Sequence, residues 1–335
     1  MITNTVVLAQ IGCGYWGPNL LRNFSSIPGC KMKYLADMSE ERRSYVAKNF
    51  PQTKVVANHV EVLADKEVVA VVIATPAGSH FALAREALRA GKHVFVEKPL
   101  ATTVVEVDEL AAEAGARGLL VMVGHTFLYN CAVRYVKDLI TKGELGEIRY
   151  IYSQRLNLGR IRSDIDALWN FAPHDVSIVQ YWLNDPEALA VTRTGMAYIQ
   201  DGVEDVVFLN VTYPNKVMAN IHVSWLDPQK TRKIIVVGSK KMVIYDDVAE
   251  DKIAIYDKGI DSKAVLGEGM DFDRPAPLQF SYRSGDILHP KIHWVEPLRA
   301  EAEHFISAIR TNTEPLTGIP HARRVVDILE RAERK

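Results

Sequence analysis

Apolar runs alternate with helical patterns along the first 125 residues, as a parallel sheet with crossover helices requires. Residues 68–74 are apolar at every position, which is typical of a central strand covered by helices on both faces. Strands are predicted at residues 5–11, 32–36, 54–56, 68–74, 93–96 and 119–123, and the helices between them include 81–90 and 104–116. The predicted fold class of this half is α/β, with a doubly wound parallel sheet.

After Gly124 the pattern changes to longer strands with alternating faces. In residues 217–225 the odd positions are apolar, whereas Asn220, His222 and Ser224 share the other face. Similar strands are predicted at 148–156, 188–196, 206–213, 233–237, 242–245 and 252–256. Because short turns join most of them, the second sheet is predicted to be largely antiparallel. Residues 258–295, rich in Gly, Pro and Asp, are predicted to be irregular, and helices at 297–310 and 320–334 close the chain.

Composition narrows the class of protein. The 335 residues carry 40 basic and 41 acidic side chains, so the net charge of −1 favours neither a nucleic-acid nor a membrane partner. The first dozen residues lack a basic segment and are interpreted as a strand rather than a signal peptide. Cys13, Cys30 and Cys131 form no C-x-x-C pair, which favours a reducing cytoplasm over a disulfide framework or a zinc site. The ten histidines show no H-E-x-x-H pattern, so no metal site is predicted.

A glycine-rich loop follows the first predicted strand. Gly12, Gly14 and Gly17 form a G-x-G-x-x-G pattern with a strand before it and a helix start after it. Asp37 lies twenty positions further on, directly after the second strand, where an acid that binds the adenosine ribose is expected. The glycines would permit a tight turn and close approach of a pyrophosphate to the helix N-terminus. A dinucleotide site is predicted, with a glycine-rich turn that binds no ligand as the structural alternative.

Asp37 also indicates which dinucleotide binds. Asp37 would repel a 2′-phosphate and so favours NAD over NADP. Arg42 and Arg43 follow closely, and a nearby arginine is able to accommodate that phosphate. NAD is therefore the predicted cofactor, and NADP the less favoured one.

Further polar residues follow the other strands of the first half. Because ligands of an open α/β sheet lie beyond the carboxyl ends of its strands, these residues are candidates to contact the cofactor. The full set predicted to bind it is Gly12, Gly14, Tyr15, Trp16, Gly17, Asp37, Thr75, Pro76, His80, Glu97, Lys98 and His125. Taken alone, Glu97-Lys98-Pro99 is better explained as an exposed charge pair at a strand end. His80 is explained equally well as a residue near a helix N-cap, and His125 as part of a domain boundary.

Several motifs in order resemble one enzyme family. They are Gly12-x-Gly14-x-x-Gly17, Ala74-Thr75-Pro76 with His80, Glu97-Lys98-Pro99-Leu100-Ala101 and Asn170-Phe171-Ala172-Pro173-His174-Asp175. Together they are similar to the glucose-fructose oxidoreductase, inositol dehydrogenase and MocA family (Gfo/Idh/MocA). The resemblance implies a Rossmann domain over residues 1–124 and a substrate-binding and oligomerisation α+β domain with a large open sheet over 125–335. It also implies a homodimer or homotetramer.

The resemblance also implies site residues. Lys98 and His174 match the family's lysine and the histidine of its D-x-x-x-H pair, which line the substrate alcohol. Asn170 stands where many members have Asp, and a neutral amide is no carboxylate base. Asn at this place resembles the branch that acts on nucleotide-linked sugars, such as UDP-N-acetylglucosaminuronate 3-dehydrogenases. Lys98, His174 and Asn170 are therefore the predicted catalytic residues.

The chemistry of alcohol oxidation leaves two candidate bases. His174 titrates near neutrality, and Lys98 either loses its proton through burial or stays charged and polarises the oxygen. We assign acid/base catalysis to His174 and hydrogen bonding or relay to Lys98. The structural alternative is that Pro173 sits in the first turn of a core helix that His174 merely caps.

Further residues are predicted to bind the substrate, together with Lys98, Asn170 and His174, from their residue type alone. They are polar side chains that follow the last Rossmann strand or lie in the loop before Trp169. Arginines in that loop would hold a phosphate or carboxylate of the substrate. The added candidates are Tyr129, Asn130, Arg155, Asn157, Arg160 and Arg162. The alternative, which is the more common one for such residues, is solvated surface or a subunit contact.

The predicted function is NAD-dependent interconversion of a ring secondary alcohol and a ketone on a sugar, with a nucleotide-linked sugar favoured. Inositols or free sugars are alternative substrates. NAD-dependent glycoside hydrolysis, with transient oxidation, and a non-catalytic nucleotide sensor are the alternative functions.

Overall fold

The computed structural model describes residues 5–159, 161–163, 165–263 and 279–334. By its internal contacts the chain forms two compact units. One contains residues 1–131, 168–186 and 294–335, and the other contains 132–167 and 187–293. A domain boundary after residue 124 stays a prediction. The C-terminal residues are assigned to the same unit as the N-terminal ones.

The first unit is built on a parallel sheet, six-stranded in the described part of the chain. Its strands are β1 (Val6–Ile11), β2 (Cys30–Ala36), β3 (Lys54–Val56), β4 (Ala70–Ile73), β5 (His93–Glu97) and β6 (Val121–Gly124). Their order, β3-β2-β1-β4-β5-β6, is that of a dinucleotide-binding Rossmann sheet. The strands after β1 are added first on one side of it and then, from β4 onward, on the other side. The α/β prediction for this half is confirmed.

Helices cover both faces of this sheet. They are α1 (Gly17–Ser25), α2 (Glu40–Asn49), α3 (His59–Ala64), α4 (His80–Arg89), α5 (Val104–Arg117), α8 (Pro297–Thr311) and α9 (Ile319–Glu333). Most of α7 (Ala167–Leu183) also belongs to the first unit, while α6 (Cys131–Thr141) begins where the second unit begins. The predicted start of α5 is confirmed, since the Thr103 hydroxyl accepts a bond from Glu106 N (3.2 Å).

Alternation along β5 shows how the two faces are filled. Val94 and Val96 join one buried cluster with side chains of α4, α5 and α9. Phe95 points to the other face, where it packs edge-to-face on Phe24 of α1 and Phe305 of α8, with ring centroids 5.5 and 5.7 Å apart. β5 is thereby buried on both faces. The strand for which the sequence predicted such burial is β4, and all four of its residues are buried.

The C-terminal helices belong to this first core. Ala322 and Val326 of α9 lie in the same cluster as the strands. Just before α9, Thr317 O accepts a bond from Val123 N of β6 (2.9 Å), and Glu330 accepts one from Val104 N at the start of α5 (2.8 Å). Segments about 200 residues apart in sequence thus complete one sheet and its helical cover.

The second unit is an open sheet, eight-stranded in the described residues, in the order β14-β13-β12-β11-β7-β10-β9-β8. The strands are β7 (Ile148–Leu156), β8 (Ala190–Met196), β9 (Val206–Thr212), β10 (Met218–Ser224), β11 (Thr231–Gly238), β12 (Met242–Asp246), β13 (Ile253–Lys263) and β14 (Gln279–Leu288). Among the pairs that the structure describes, β7 and β10 are parallel and the others antiparallel. The largely antiparallel second sheet is confirmed.

Two local predictions are wrong. Residues 258–295 are not irregular throughout, because β13 and β14 pair across much of that range. Gly259 and Gly285, which suggested turns, instead leave room for the cross-strand ion pair of Arg283 with Asp257 (2.9 Å). Pro173 is not in a first turn either, since α7 begins at Ala167 and runs through it.

Candidate functional site

The glycine loop between β1 and α1 is held by a buried side chain. The Gln10 amide donates to Gly12 O (2.8 Å) and to Gly17 O (3.0 Å), which fixes the turn from beneath. Gly12 has φ +90°, and a Cβ there would lie 2.7 Å from Ala74 O. A Cβ on Gly17 would lie 2.9 Å from the Gln10 amide. The fold itself therefore requires glycine at both positions.

Gly14 differs from the other two glycines. A Cβ there would meet no described atom within 4 Å, so packing within the protein does not explain the glycine. The next helix, α1, begins at Gly17 with no side-chain cap on its N-terminal N–H groups. Open backbone at Gly14 and uncapped N–H groups at α1 are what a dinucleotide pyrophosphate requires. The loop therefore fits the predicted cofactor.

Asp37 lies at the carboxyl end of β2 and is bonded to this loop. Its Oδ2 accepts from Cys13 N (2.7 Å), and its Oδ1 accepts from Ser39 N (2.8 Å). Arg43 donates to the carbonyl oxygens of Asp37 and Met38, each at 2.8 Å. Burial, followed by the Asp37 charge, raises the pKa of the Cys13 thiol to about 11, so Cys13 is an inert filler of the turn. The carboxylate is fixed beside the glycine loop, as the sequence predicted.

His80 connects the two neighbouring strand-end loops. Its Nδ1 lies 2.7 Å from Pro99 O and its Nε2 lies 2.9 Å from Thr75 O, so it joins the loop after β4 to the loop after β5. Burial lowers the pKa of His80, although both carbonyl contacts oppose that shift. Thr75 Oγ1 is itself held by the Ser79 hydroxyl (2.7 Å). His80 thus positions the loop that carries Lys98.

Lys98, Asn170 and His174 are brought together by α7. Lys98 Nζ donates to the backbone carbonyl of Asn170 (2.8 Å). His174 lies four residues further along the same helix and therefore on the same face, one turn away. Pro173 has no N–H to offer the preceding turn, which loosens the helix near Asn170. The His174 ring packs edge-on against Phe127 (centroids 5.1 Å apart), which fixes its orientation.

A second acid, Glu301, is buried in the same unit as Glu97. Glu301 of α8 is fully buried, and its Oε2 accepts from the Thr126 hydroxyl (2.7 Å). Burial raises the pKa of Glu97 to about 7 against the lowering effect of Lys98. Burial, and then the charge of Glu97, raises the pKa of Glu301 well above its usual value. Sequence reasoning missed Glu301, although an acid on the apolar face of a predicted helix was a usable signal.

Glu301→Gln is expected to stabilise the protein increasingly above about pH 5. A carboxyl whose folded-state pKa exceeds its unfolded value stabilises fully below the unfolded pKa of 4.5, and that contribution is lost as the pH rises toward the folded-state value. Glutamine does not titrate, so the variant's advantage in unfolding free energy should grow by about 1 kcal/mol per pH unit from pH 5 to pH 7. Urea unfolding at several pH values measures it.

The control is Glu303→Gln on the same helix, where the carboxylate is exposed and paired with Arg299. Its unfolding free energy should follow that of the wild type at every pH. Parallel pH curves for the wild type and Glu301→Gln would contradict the buried acid described here.

His125 and a hydrogen-bonded chain lie near this region. His125 is buried, and burial, His321 and Lys98 lower the pKa of its ring well below the usual value, so the ring is neutral. His321 of α9, 5.4 Å from it between ring centroids, contacts Ser177 Oγ (2.9 Å) and Asp185 Oδ1 (2.7 Å). Ser177 lies three residues after His174, so this chain anchors α7 to α9. Nothing in the sequence pairs these three residues.

The described residues that were added as substrate candidates are divided between the two units. Tyr129 is buried and its hydroxyl contacts Thr317 Oγ1 (3.3 Å), and Asn130 is buried beside it. Arg155, Asn157 and Arg162 belong to the second unit: Arg155 is buried in β7, Asn157 directly follows β7, and Arg162 O accepts from Gln200 (3.0 Å). Arg160 lies outside the described residues. The substrate roles of all six stay predictions.

The described part of the chain has neither a metal-binding cluster nor a helix suited to crossing a membrane. No cluster of three or more His, Cys, Asp and Glu side chains is placed to hold a metal ion. Among those same residues, no helix combines the length and the apolar composition needed to cross a membrane.

Comparison with known proteins covers most of the chain. A family model described as "Oxidoreductase family, NAD-binding Rossmann fold" matches residues 6–125, and the "GFO/IDH/MocA C-terminal domain" matches 133–244. The UDP-N-acetylglucosamine 3-dehydrogenase of Acidithiobacillus ferrooxidans is 28% identical over 94% of this chain and 92% of that protein. The 2,7-anhydro-N-acetylneuraminate hydratase of Mediterraneibacter gnavus is 24% identical over 96% and 88%.

A solved structure is also similar. A putative oxidoreductase from Magnetospirillum magnetotacticum MS-1 matches 98% of this chain and 99% of its own, at 29% identity and a TM-score of 0.82.

Proposed function

Because the chain belongs to the Gfo/Idh/MocA oxidoreductase family, whose N-terminal part is an NAD-binding Rossmann fold, we propose that it interconverts a secondary alcohol and a ketone on the ring of a nucleotide-linked sugar. The observation that carries this proposal is the bond of Lys98 Nζ to Asn170 O, one helical turn from His174. This bond supports the proposal because the lysine follows β5 and contacts the helix that carries the histidine. The chain is an oxidoreductase by its family, and its relatives include a dehydrogenase named for a nucleotide-linked sugar.

The chain's residues have distinct roles in this proposal. Gly14 and the N-terminus of α1 bind the pyrophosphate, and the Asp37 carboxylate accepts hydrogen bonds from the hydroxyls of the adenosine ribose. NAD supplies the acceptor of a hydride from the substrate carbon when it is bound. His174 takes the hydroxyl proton in oxidation and returns it in reduction, while Lys98 orients and polarises the substrate oxygen.

The nucleotide-linked substrate is supported by the 28% identical relative named UDP-N-acetylglucosamine 3-dehydrogenase, and by Asn170 in place of Asp. The test is a panel of UDP- and dTDP-sugars, inositols and free sugars, followed at the absorbance of NADH. Turnover with a UDP-sugar is expected. Turnover restricted to inositols or free sugars would overturn the nucleotide-linked substrate and keep the dehydrogenase.

A second candidate function is a redox-neutral reaction with transient oxidation of the ring. The hydratase relative favours it, because hydration changes no net oxidation state. Product formation with bound NAD and no net NADH would identify this function.

Asp37→Asn is expected to weaken discrimination against NADP. Removing the carboxylate charge removes its repulsion of the 2′-phosphate, so the ratio of the NADP Kd to the NAD Kd should fall about tenfold or more, a change of about 1.4 kcal/mol. Titration calorimetry with both cofactors measures it. The control Glu40→Gln removes an exposed acid in the first turn of α2, and its ratio should stay near that of the wild type. An unchanged ratio in Asp37→Asn would remove Asp37 from cofactor selection.

We also propose a homodimer or homotetramer. One face of the second sheet exposes the apolar side chains of Tyr150, Met196, Phe208 and Met218, which strand pairing places on the same side. Light scattering during size-exclusion chromatography tests this, and a monomer at micromolar concentration would contradict it.

A further inference from the structure

One arginine holds the turn between β2 and α2. Nη1 of Arg43 donates to the carbonyl oxygens of Asp37 and Met38, each at 2.8 Å. β2 ends at Ala36 and α2 begins at Glu40, so both carbonyls lie outside the strand and the helix. Nη1 has two N–H groups, which matches its two acceptors. Arg43 therefore supplies hydrogen bonds that this turn does not receive from regular secondary structure.

The carboxylate of Asp37 belongs to the same turn. Its Oδ2 accepts from Cys13 N (2.7 Å), and its Oδ1 accepts from Ser39 N (2.8 Å). A carboxylate oxygen has two lone pairs, so each oxygen keeps one that a ribose hydroxyl is able to bind. Ser39 is also the N-cap of α2. The direction of the carboxylate therefore depends on the backbone of residues 37–39, and Arg43 bonds to that backbone.

An arginine near this acid is also able to bind the 2′-phosphate of NADP, which is the alternative that the sequence left for Arg43. A guanidinium binds a phosphate most strongly through two N–H groups that lie side by side. In the structure Nη1, one half of the fork that Nη1 and Nη2 form, is bonded to the backbone instead. The Asp37 carboxylate, fixed beside the glycine loop, also repels a phosphate. The geometry therefore favours a role for Arg43 in holding the acid.

We propose that Arg43 is a positioning residue that makes the site selective for NAD: it holds Asp37 in place and does not bind the 2′-phosphate of NADP. With Arg43 present, the carboxylate accepts from the ribose hydroxyls of NAD and opposes the phosphate of NADP. Without Arg43, the carboxylate is no longer fixed at the ribose. NAD then loses hydrogen bonds, while NADP escapes part of the repulsion. This inference rests on the proposed function, because it requires a dinucleotide at the glycine loop.

The first experiment compares the two cofactors on one variant. Arg43→Met removes both hydrogen bonds and keeps an apolar stem. Titration calorimetry at one ionic strength should show a Kd for NAD about tenfold higher than in the wild type, and a Kd for NADP changed by less than about threefold. The ratio of the NADP Kd to the NAD Kd should therefore fall by about threefold or more. A ratio that stays the same or rises would overturn the inference, and a rise would identify Arg43 as a ligand of the 2′-phosphate.

The matched control is Lys48→Met, which removes one positive charge from the last turn of the same helix, where the lysine is exposed. Both Kd values should stay within about twofold of the wild type. Urea unfolding of Arg43→Met and of the control should have similar midpoints, because Arg43 is only half-buried. A changed ratio then reports on cofactor selection rather than on loss of folded protein.

A double variant tests whether Arg43 acts through Asp37. In the Asp37→Asn background, adding Arg43→Met should change the ratio of the two Kd values by less than about twofold, because the charge that Arg43 positions is already absent. A larger further fall would show that Arg43 acts independently of Asp37 and would overturn the inference.

A crystal structure of the wild-type protein with NAD tests the same contacts without a variant. Asp37 should contact the ribose hydroxyls while Arg43 Nη1 stays within hydrogen-bonding distance of both carbonyls. An Arg43 side chain turned away from the carbonyls in that complex would overturn the inference. Wild-type protein that binds NAD but turns over no sugar would overturn the proposed function alone, and wild-type protein that binds neither cofactor would overturn both.

Discussion

Lys98→Met is expected to lower kcat for the sugar substrate about 10³-fold while the Kd for NAD stays within about threefold of the wild type. Lys98 Nζ donates to the Asn170 carbonyl, and we expect the glycine loop and Asp37 to supply most of the affinity for the cofactor even though Lys98 is among the predicted cofactor contacts. The substrate oxygen loses the donor that polarises it, and the loss falls on the chemical step. Single-turnover formation of NADH, together with calorimetric binding of NAD, measures both quantities. The assay is best run near pH 8, because removal of Lys98 raises the pKa of Glu97.

The control is Lys48→Met at the end of α2, which removes an exposed lysine and should leave kcat unchanged. A second variant, Lys98→Arg, keeps the positive charge but has a guanidinium that does not release a proton. Partial recovery in Lys98→Arg would agree with a polarising role. Full turnover in Lys98→Met would remove the lysine from the mechanism.

Gly12→Ala and Gly14→Ala are expected to separate folding from cofactor binding. Alanine at residue 12 must adopt φ +90° with its methyl 2.7 Å from Ala74 O, which should lower the unfolding free energy by about 3 kcal/mol. Alanine at residue 14 meets no described atom within 4 Å, so the unfolding free energy should stay within about 0.5 kcal/mol of the wild type. The methyl would nevertheless occupy the space that the pyrophosphate approaches, and the Kd for NAD should rise about tenfold or more.

Urea unfolding and NAD titration of both variants give the measurement, and each variant is the control for the other. Unimpaired NAD binding by Gly14→Ala would place the pyrophosphate elsewhere. Equal stability of the two variants would contradict the tight turn at Gly12.

Local patterns predicted most of the fold. The six Rossmann strands were predictable because each is a short, largely apolar run bounded by turn residues. The glycine loop was predictable because its three glycines and the later Asp37 have the spacing of a dinucleotide-binding motif. β14 and the end of β13 were missed since Gly285 of β14 and Gly259 of β13, read as turn signals, leave room for the Arg283–Asp257 pair. Such a pair joins side chains on different strands, and no periodicity along one strand reveals it.

The candidate site was predictable only in part, for a related reason. Motifs identified Lys98, His174 and Asp37, which follow strands or match a family pattern. Glu301, Ser177, Asp185 and His321 gain their partners from segments more than a hundred residues away or from a buried interior. Pairing at that distance depends on the packing of α7, α8 and α9, which sequence patterns do not specify.

The placement of α8 and α9 on the first sheet has a consequence for synthesis. The ribosome releases β1 to β6 long before residues 294–334, yet Phe305, Ala322 and Val326 are needed to cover those strands. The nascent Rossmann sheet therefore exposes apolar surface throughout translation of the second unit. The first unit is therefore expected to finish folding only after α8 and α9 have been synthesised.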